Sequence, residues 1–141
     1  MTAEQTDWTV EGLIPHRGRM KLLDTIVEVN ADRCVTRATV SERWPLCSEG
    51  AVDALVLIEV VAQTVSAAAS WDRRHSEAMG GAGYLVGIKR ARWSRPSVPV
   101  GTELITTVVN EVRRTNYGVF VGRVAAAGEL LAEITLQAVK P

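Results

Sequence analysis

The hydrophobic pattern changes period along the chain, and those changes divide it into elements. From Ala54 to Ala69 the sequence ALVLIEVVAQTVSAAA is apolar on nearly every side and carries a single charge, Glu59. Such a run predicts one long buried helix, about Val52 to Trp71. The irregular stretch SERWPLCSEG, with Pro45 and Gly50, precedes it; a polar run and the Gly80-Gly81 pair follow. Elsewhere the period is two. Thr25–Asn30 and Arg33–Val40 are rich in β-branched residues and flank the turn-prone Asn30-Ala31-Asp32, which predicts a hairpin. Tyr84–Trp93, Thr102–Arg113, Tyr117–Ala125 and Leu130–Val139 read as further strands. In the last, Leu130, Ala132, Ile134, Leu136 and Ala138 face one way while Glu133, Thr135 and Gln137 face the other.

The strands after the helix are joined by short links, Arg95 to Gly101, Arg114-Thr115-Asn116 and Ala126 to Glu129, so they predict an antiparallel meander. Strands on both sides of one apolar helix leave one sensible packing. A curved antiparallel sheet of five to six strands wraps the central helix, an α+β arrangement known as the hot-dog fold. The 141 residues suit a single domain spanning the chain.

Glu59 is then the residue to explain. At about 100° per residue, Gln63 lies roughly 40° from it and Ser66 about 20° on the other side, with Ser70 continuing the stripe. A solvent-facing stripe would carry Lys, Arg or several Glu, whereas this one has one charge and then short neutral groups. The expectation is a polar seam facing a cleft or a subunit boundary. A carboxyl desolvated there is held as an acid, as active sites require.

Composition narrows the classes without choosing among them. Sixteen basic and sixteen acidic residues give no net field that would call for nucleic acid or an anionic membrane. The apolar run is interrupted by Glu59 and Gln63 and is too short for a bilayer, so no membrane span is expected. Cys34 and Cys47 show neither metal-ligand spacing nor a disulfide framework. With an acidic N-terminus in place of a basic leader, they suggest a cytoplasmic protein. No metal or cofactor is expected.

Particular motifs add a resemblance. Ile14-Pro15-His16-Arg17-Gly18-Arg19-Met20-Lys21-Leu22-Leu23-Asp24 resembles the Pro-His…Met-x-Leu-Leu-Asp opening of hot-dog 3-hydroxyacyl-carrier-protein dehydratases. Ile58-Glu59-Val60-Val61-Ala62-Gln63 resembles the Glu-x-x-Ala-Gln centre of their helix. Gly50, Val52, Ala54, Glu59, Ala62 and Gln63 match the Gly-x-Val-x-Ala…Glu-x-x-Ala-Gln run of the branch that serves aryl-polyene biosynthesis. Leu85 to Arg90, Pro99-Val100-Gly101 and Gly128 to Ala132 are similar to three later motifs of that branch.

One departure matters. The fatty-acid dehydratases place a catalytic histidine in a Gly-His-Phe-Pro-Gly loop before the helix, and this chain has Arg43-Trp44-Pro45-Leu46 there. Two histidines remain. His75 lies at a polar helix end, where a cation suits the helix dipole and exposure is expected. His16 stands in the shared Pro-His motif and is the candidate base, with a structural role for its imidazole as the alternative.

The resemblance implies dehydration of 3-hydroxyacyl thioesters to trans-2-enoyl thioesters. A base takes the C2 proton while an acid protonates the departing C3 hydroxyl, which suits His16 with Glu59. Gly50, Ala51 and Val52 are expected at the helix start, where backbone donors would meet the thioester oxygen, and Gln63 would orient the carboxyl or line the pocket. In the resembling family the site forms at a dimer interface, so His16 and Glu59 are candidates to come from different subunits. Arg17 and Arg19, with Lys89, Arg90, Arg92 and Arg95, would favour a phosphopantetheine or coenzyme A thioester and an acidic carrier protein. The expected assembly is a homodimer, or a heterodimer with another hot-dog subunit. Two alternatives stay open: a thioesterase using Glu59, and a non-catalytic acyl-binding subunit.

Overall fold

The computed structural model describes residues 9–75 and 85–139. The polar run with Gly80-Gly81 and Tyr84 lies outside the described residues. A short helix, α1 (Val10–Leu13), opens an arm that continues through a 3-10 turn at Gly18–Met20. Strands β1 (Thr25–Val29) and β2 (Arg33–Thr39) form the expected hairpin. Asn30 closes it, because its Oδ1 accepts from Asp32 N at 2.8 Å and Arg33 N at 3.0 Å. Next come β3 (Cys47–Ser48), β4 (Ala51–Asp53), the long helix α2 (Val56–His75), β5 (Leu85–Trp93) and β6 (Ser97–Pro99). The chain ends in β7 (Glu103–Arg114), β8 (Tyr117–Ala126) and β9 (Glu129–Val139).

Six strands form one sheet in the order β1-β2-β7-β8-β9-β5, with every neighbouring pair antiparallel. The meander of β7, β8 and β9 is as expected, but β5 joins the far side of β9. The helix packs on β2, β7, β8 and β9 and is enclosed by the curved face of the sheet. Leu57, Val60, Val61 and Ala67 of α2 are fully buried with Cys34, Leu104, Val124 and Ile134 of the strands. Inside this core Thr64 Oγ1 donates to Val60 O at 2.9 Å, and Thr36 Oγ1 lies 2.9 Å from Thr64 Oγ1, so both hydroxyls are satisfied.

The small sheet β3-β4-β6 was not expected. Its strands are two or three residues long, too short for alternation to register. Glu49 (φ 53) and Gly50 (φ 80) form the tight turn between β3 and β4, with left-handed backbone at both positions. That pairing also corrects the helix boundary. Ala51–Asp53 is committed to the strand, so α2 begins at Val56 instead of Val52. At its other end α2 runs on to His75, since no breaker intervenes and Arg73, Arg74 and His75 suit the negative end of the dipole.

One further correction concerns β9. Leu130 is 48% exposed and Leu131 is buried, the reverse of simple alternation. Val124 pairs with Ala132 and Ala125 with Leu130, so Leu131 is an extra residue that flips the faces at the start of the strand.

Candidate active site

The site is built where the arm crosses α2. Thr9 starts the arm, its Oγ1 accepting from Gly12 N at 3.0 Å at the head of α1. The carbonyls at the other end of α1 are taken by two cations. Arg74 of α2 donates to Gly12 O. Arg17 donates to Glu11 O and His16 O, each at 2.8 Å, and to Ile14 O at 2.6 Å. One guanidinium thus ties three carbonyls around Pro15-His16, using the fork of donors that lysine lacks. Leu22 and Leu23, 2% and 0% exposed, then pin the end of the arm into the core.

Gln63 joins this arm to the helix. Its side chain is fully buried, and each of its polar atoms has a partner. Oε1 accepts from Leu22 N at 2.9 Å, while Nε2 donates to Met20 O at 2.6 Å and to Glu59 Oε2 at 3.0 Å. The expected polar seam is therefore real, with Gln63 and Ser70 buried and Glu59 and Ser66 half-buried. It is not a solvent edge.

His16 completes the cluster, with Nε2 3.5 Å from Glu59 Oε2. The side chains of His16 and Glu59 are 27% and 39% exposed, so the pair opens to the surface. His16 Nδ1 is buried without a hydrogen-bond partner, which leaves Nε2 as the nitrogen able to meet a bound molecule. Imidazole and carboxyl belong to the same protomer, so no second subunit is needed to bring them together. The protomer does not desolvate Glu59 as far as the apolar helix suggested, because the arm covers Gln63 and stops short of the carboxyl.

Gly50 and Val52 do not join this cluster at the helix start. Gly50 lies in the β3–β4 turn, and its carbonyl accepts from Val100 N at 2.9 Å. Val52 is fully buried, opposite Cys47 and Val98 in the small sheet. The first turn of α2 is also partly spent. Leu55 N donates to Asp53 Oδ1 at 2.9 Å, Leu57 N to Ala54 O at 3.0 Å and Ile58 N to Leu55 O at 3.1 Å.

The remaining sequence candidates sort simply. His75 is exposed at the end of α2, stacked on Trp71 with ring centroids 4.0 Å apart. Arg95 is paired with Glu129 at 2.9 Å, and Arg17 is committed to the arm, so both leave the set of cations offered for a carrier. The clamp formed by Arg17 was missed in the sequence, where nothing in the spacing shows a guanidinium folding back on its own chain. Among the described residues no group of three or more His, Cys, Asp and Glu is placed to hold a metal, and no helix is long and apolar enough to cross a membrane.

A curved sheet around one helix, with an imidazole and a carboxyl meeting where an arm crosses that helix, defines a hot-dog protein with the elements of an acid–base site. A family described as ApeP dehydratase matches residues 8–141. The chain belongs to that family. It is also similar to a 3-hydroxyacyl-[acyl-carrier-protein] dehydratase FabZ of Thermomicrobium roseum, 29% identical over 132 residues, covering 89% of this chain and 86% of the relative. Among solved structures, the dehydratase heterocomplex ApeI:P from Xenorhabdus doucetiae superposes with a TM-score of 0.80 at 22% identity, covering 95% of this chain and 91% of that one. The PaaI protein of the E. coli phenylacetic acid degradation operon superposes at 0.63 with 14% identity, covering 82% and 81%. Both share the fold.

Proposed function

We propose that this chain removes water from 3-hydroxyacyl thioesters of fatty-acid-like or polyene biosynthesis, with His16 as the base and Glu59 as the acid. The observation that carries this reading is the 3.5 Å approach of His16 Nε2 to Glu59 Oε2 at a half-exposed position. A substrate lying against that edge can present C2 to the imidazole and the C3 hydroxyl to the carboxyl. Nε2 takes the C2 proton, the C2–C3 double bond forms, and the C3 oxygen leaves as water with the proton from Glu59. Gln63 holds the carboxyl in place through Oε2. The reverse hydration uses the same groups with their protonation exchanged.

The carrier is proposed to be acyl carrier protein, in keeping with the name of the Thermomicrobium roseum relative. The ApeI:P heterocomplex supports assembly with a further hot-dog subunit, which would complete the cover over Glu59 that one protomer leaves open.

The test follows the absorbance of the conjugated enoyl thioester, using crotonyl and longer 2-enoyl thioesters of carrier protein and coenzyme A. The wild-type assembly is expected to consume the conjugated band by hydration, and Glu59→Gln and His16→Ala are each expected to lose turnover while the fold persists. Free thiol released without formation of the 3-hydroxyacyl thioester would assign a thioesterase instead. Hydration at the wild-type rate in Glu59→Gln removes that residue from the mechanism.

A further inference from the structure

Between the far end of α2 and the sheet the core is underfilled. Near Glu59 the helix fills that space with Leu57, Val60 and Val61, all fully buried. Further along it offers only Ala68 and Ala69, and the sheet answers with Gly118 of β8 and Ala138 of β9, side chains of one carbon or none. A cavity of about 60 Å³ remains, floored by Val108, Phe120 and Ala138. These three are 1%, 6% and 3% exposed, so the floor is apolar core. That volume has room for about four or five water-sized groups, and an apolar space holds hydrocarbon better than water.

The cavity stands apart from the pair of His16 and Glu59. At about 100° and 1.5 Å per residue, Ala68 lies on the opposite side of α2 from Glu59 and roughly 13 Å further along the axis. Its mouth is polar. Arg113, at the end of β7, joins two sides of it, donating to Ala31 O at 2.8 Å in the β1–β2 turn and to Asp72 Oδ1 at 2.7 Å on α2. A guanidinium has five N–H donors, so several stay available, and the side chain is 43% exposed. Arg114 is exposed beside it, with no ion pair among the described residues. Arg33 on the same rim is held by Glu28, and Asp72 is spent on Arg113. Asp32 is left as the one rim carboxylate without an ion pair among the described residues. Spare donors for an anion therefore outnumber spare acceptors for a cation.

We propose that this cavity binds a short-chain carboxylate of about four to six carbons, its alkyl tail on Val108, Phe120 and Ala138 and its head group on Arg113 and Arg114. A carboxylate meets a guanidinium in a planar two-bond contact that an ammonium cannot reproduce. The tail supplies the rest. Each methylene buried adds about threefold to fourfold in affinity until the floor is reached. The length of the cavity therefore caps the gain.

Wild type is titrated with acetate, butyrate, hexanoate and octanoate, with hexanol and hexylamine as controls, and binding is read by NMR of the alanine and valine methyls. Hexanoate is expected to bind with a Kd of about 1 mM or tighter, shifting the methyls of Ala68, Val108 and Ala138 and not that of Ala62 beside Glu59. Affinity should rise from acetate to hexanoate and then level off. Ala68→Leu, whose larger side chain fills the cavity, and Arg113→Met, which keeps the stem without the donors, should each weaken hexanoate at least about tenfold. The proposal is overturned by shifts centred on Ala62, by hexanol or hexylamine binding as tightly as hexanoate, by octanoate binding tighter still, or by no shift at about 10 mM hexanoate. Unchanged affinity in a folded Ala68→Leu overturns it as well. If a variant fails to fold, the chain-length series and the methyl map of wild type decide alone. Activity enters none of these readings, so a failed dehydration assay leaves the test standing.

Discussion

Gln63 Nε2 donates to Glu59 Oε2 at 3.0 Å across one turn of α2, while Gln63 Oε1 accepts from Leu22 N at 2.9 Å. A backbone amide only donates, so the Leu22 bond fixes which end of the carboxamide faces Glu59. The arm that carries His16 and the helix that carries Glu59 are thereby registered through one buried side chain. The distance between imidazole and carboxyl is a property of that link.

Gln63→Leu keeps a similar volume and strands the buried Leu22 N–H. An unpaired donor in the core costs about 1–3 kcal/mol, so a clear fall in unfolding free energy is expected with a fall in turnover. Urea titration beside the enoyl assay checks both. Unchanged stability would show that the Gln63 bonds to Met20 and Leu22 do not help to anchor the arm.

Arg17 acts on the same arm from outside. Its guanidinium holds the carbonyls of Glu11, Ile14 and His16 at an exposed site, where the net worth of each bond is small. Arg17→Met is therefore expected to cost roughly 1 kcal/mol in stability, yet to lower kcat about tenfold or more because His16 loses its fixed approach to Glu59. Arg17→Lys should recover little, since an ammonium cannot span three carbonyls in one plane. A proportional loss in both quantities would mark Arg17 as merely structural.

The contrast between Gln63 and Arg17 shows what was legible in the sequence. Period-two alternation and the apolar helix placed every strand of the large sheet to within a residue or two, because burial imposes those patterns locally. The stripe of Glu59, Gln63, Ser66 and Ser70 was legible for the same reason. The small sheet was not, since pairs such as Val52 with Val98 exist only once distant segments meet. That omission displaced the helix start and with it the supposed role of Gly50 and Val52. The carbonyls chosen by Arg17 likewise depend on a chain path that no periodicity encodes.

Cys34 gives a pH-dependent prediction. Burial, with a smaller contribution from the negative charge of Glu28, pushes its thiol up to about 12. Below roughly 8.5 both folded and unfolded chains keep the proton, and the contribution to stability is fully present. Between there and about 12 the unfolded thiol ionises while the folded one does not, so stability falls as pH rises. Cys34→Ala should show a shallower decline than wild type between about pH 8 and pH 10 in urea titrations. Native Cys34 should also resist iodoacetamide at about pH 8 and react once unfolded, since only the thiolate is nucleophilic. Equal labelling rates in both states would refute the burial.

Gly122 of β8 lies against Val61 of α2. A Cβ built at Gly122 would stand 2.5 Å from Val61 Cγ1 and 3.0 Å from Cγ2, inside any tolerable contact. Val61 is fully buried and has no room to retreat. Gly122→Ala is expected to destabilise by about 1–3 kcal/mol through overpacking. Val61→Ala alone opens a cavity, but combined with Gly122→Ala it removes the methyls that the new Cβ meets. The double variant should therefore be more stable than the sum of the single effects, a coupling that a thermodynamic cycle measures directly. Because Val61 lies between Glu59 and Gln63 in sequence, the same clash would displace the helical turn that carries Glu59. Gly122→Ala should lower turnover as well as stability, and the second substitution should restore part of both.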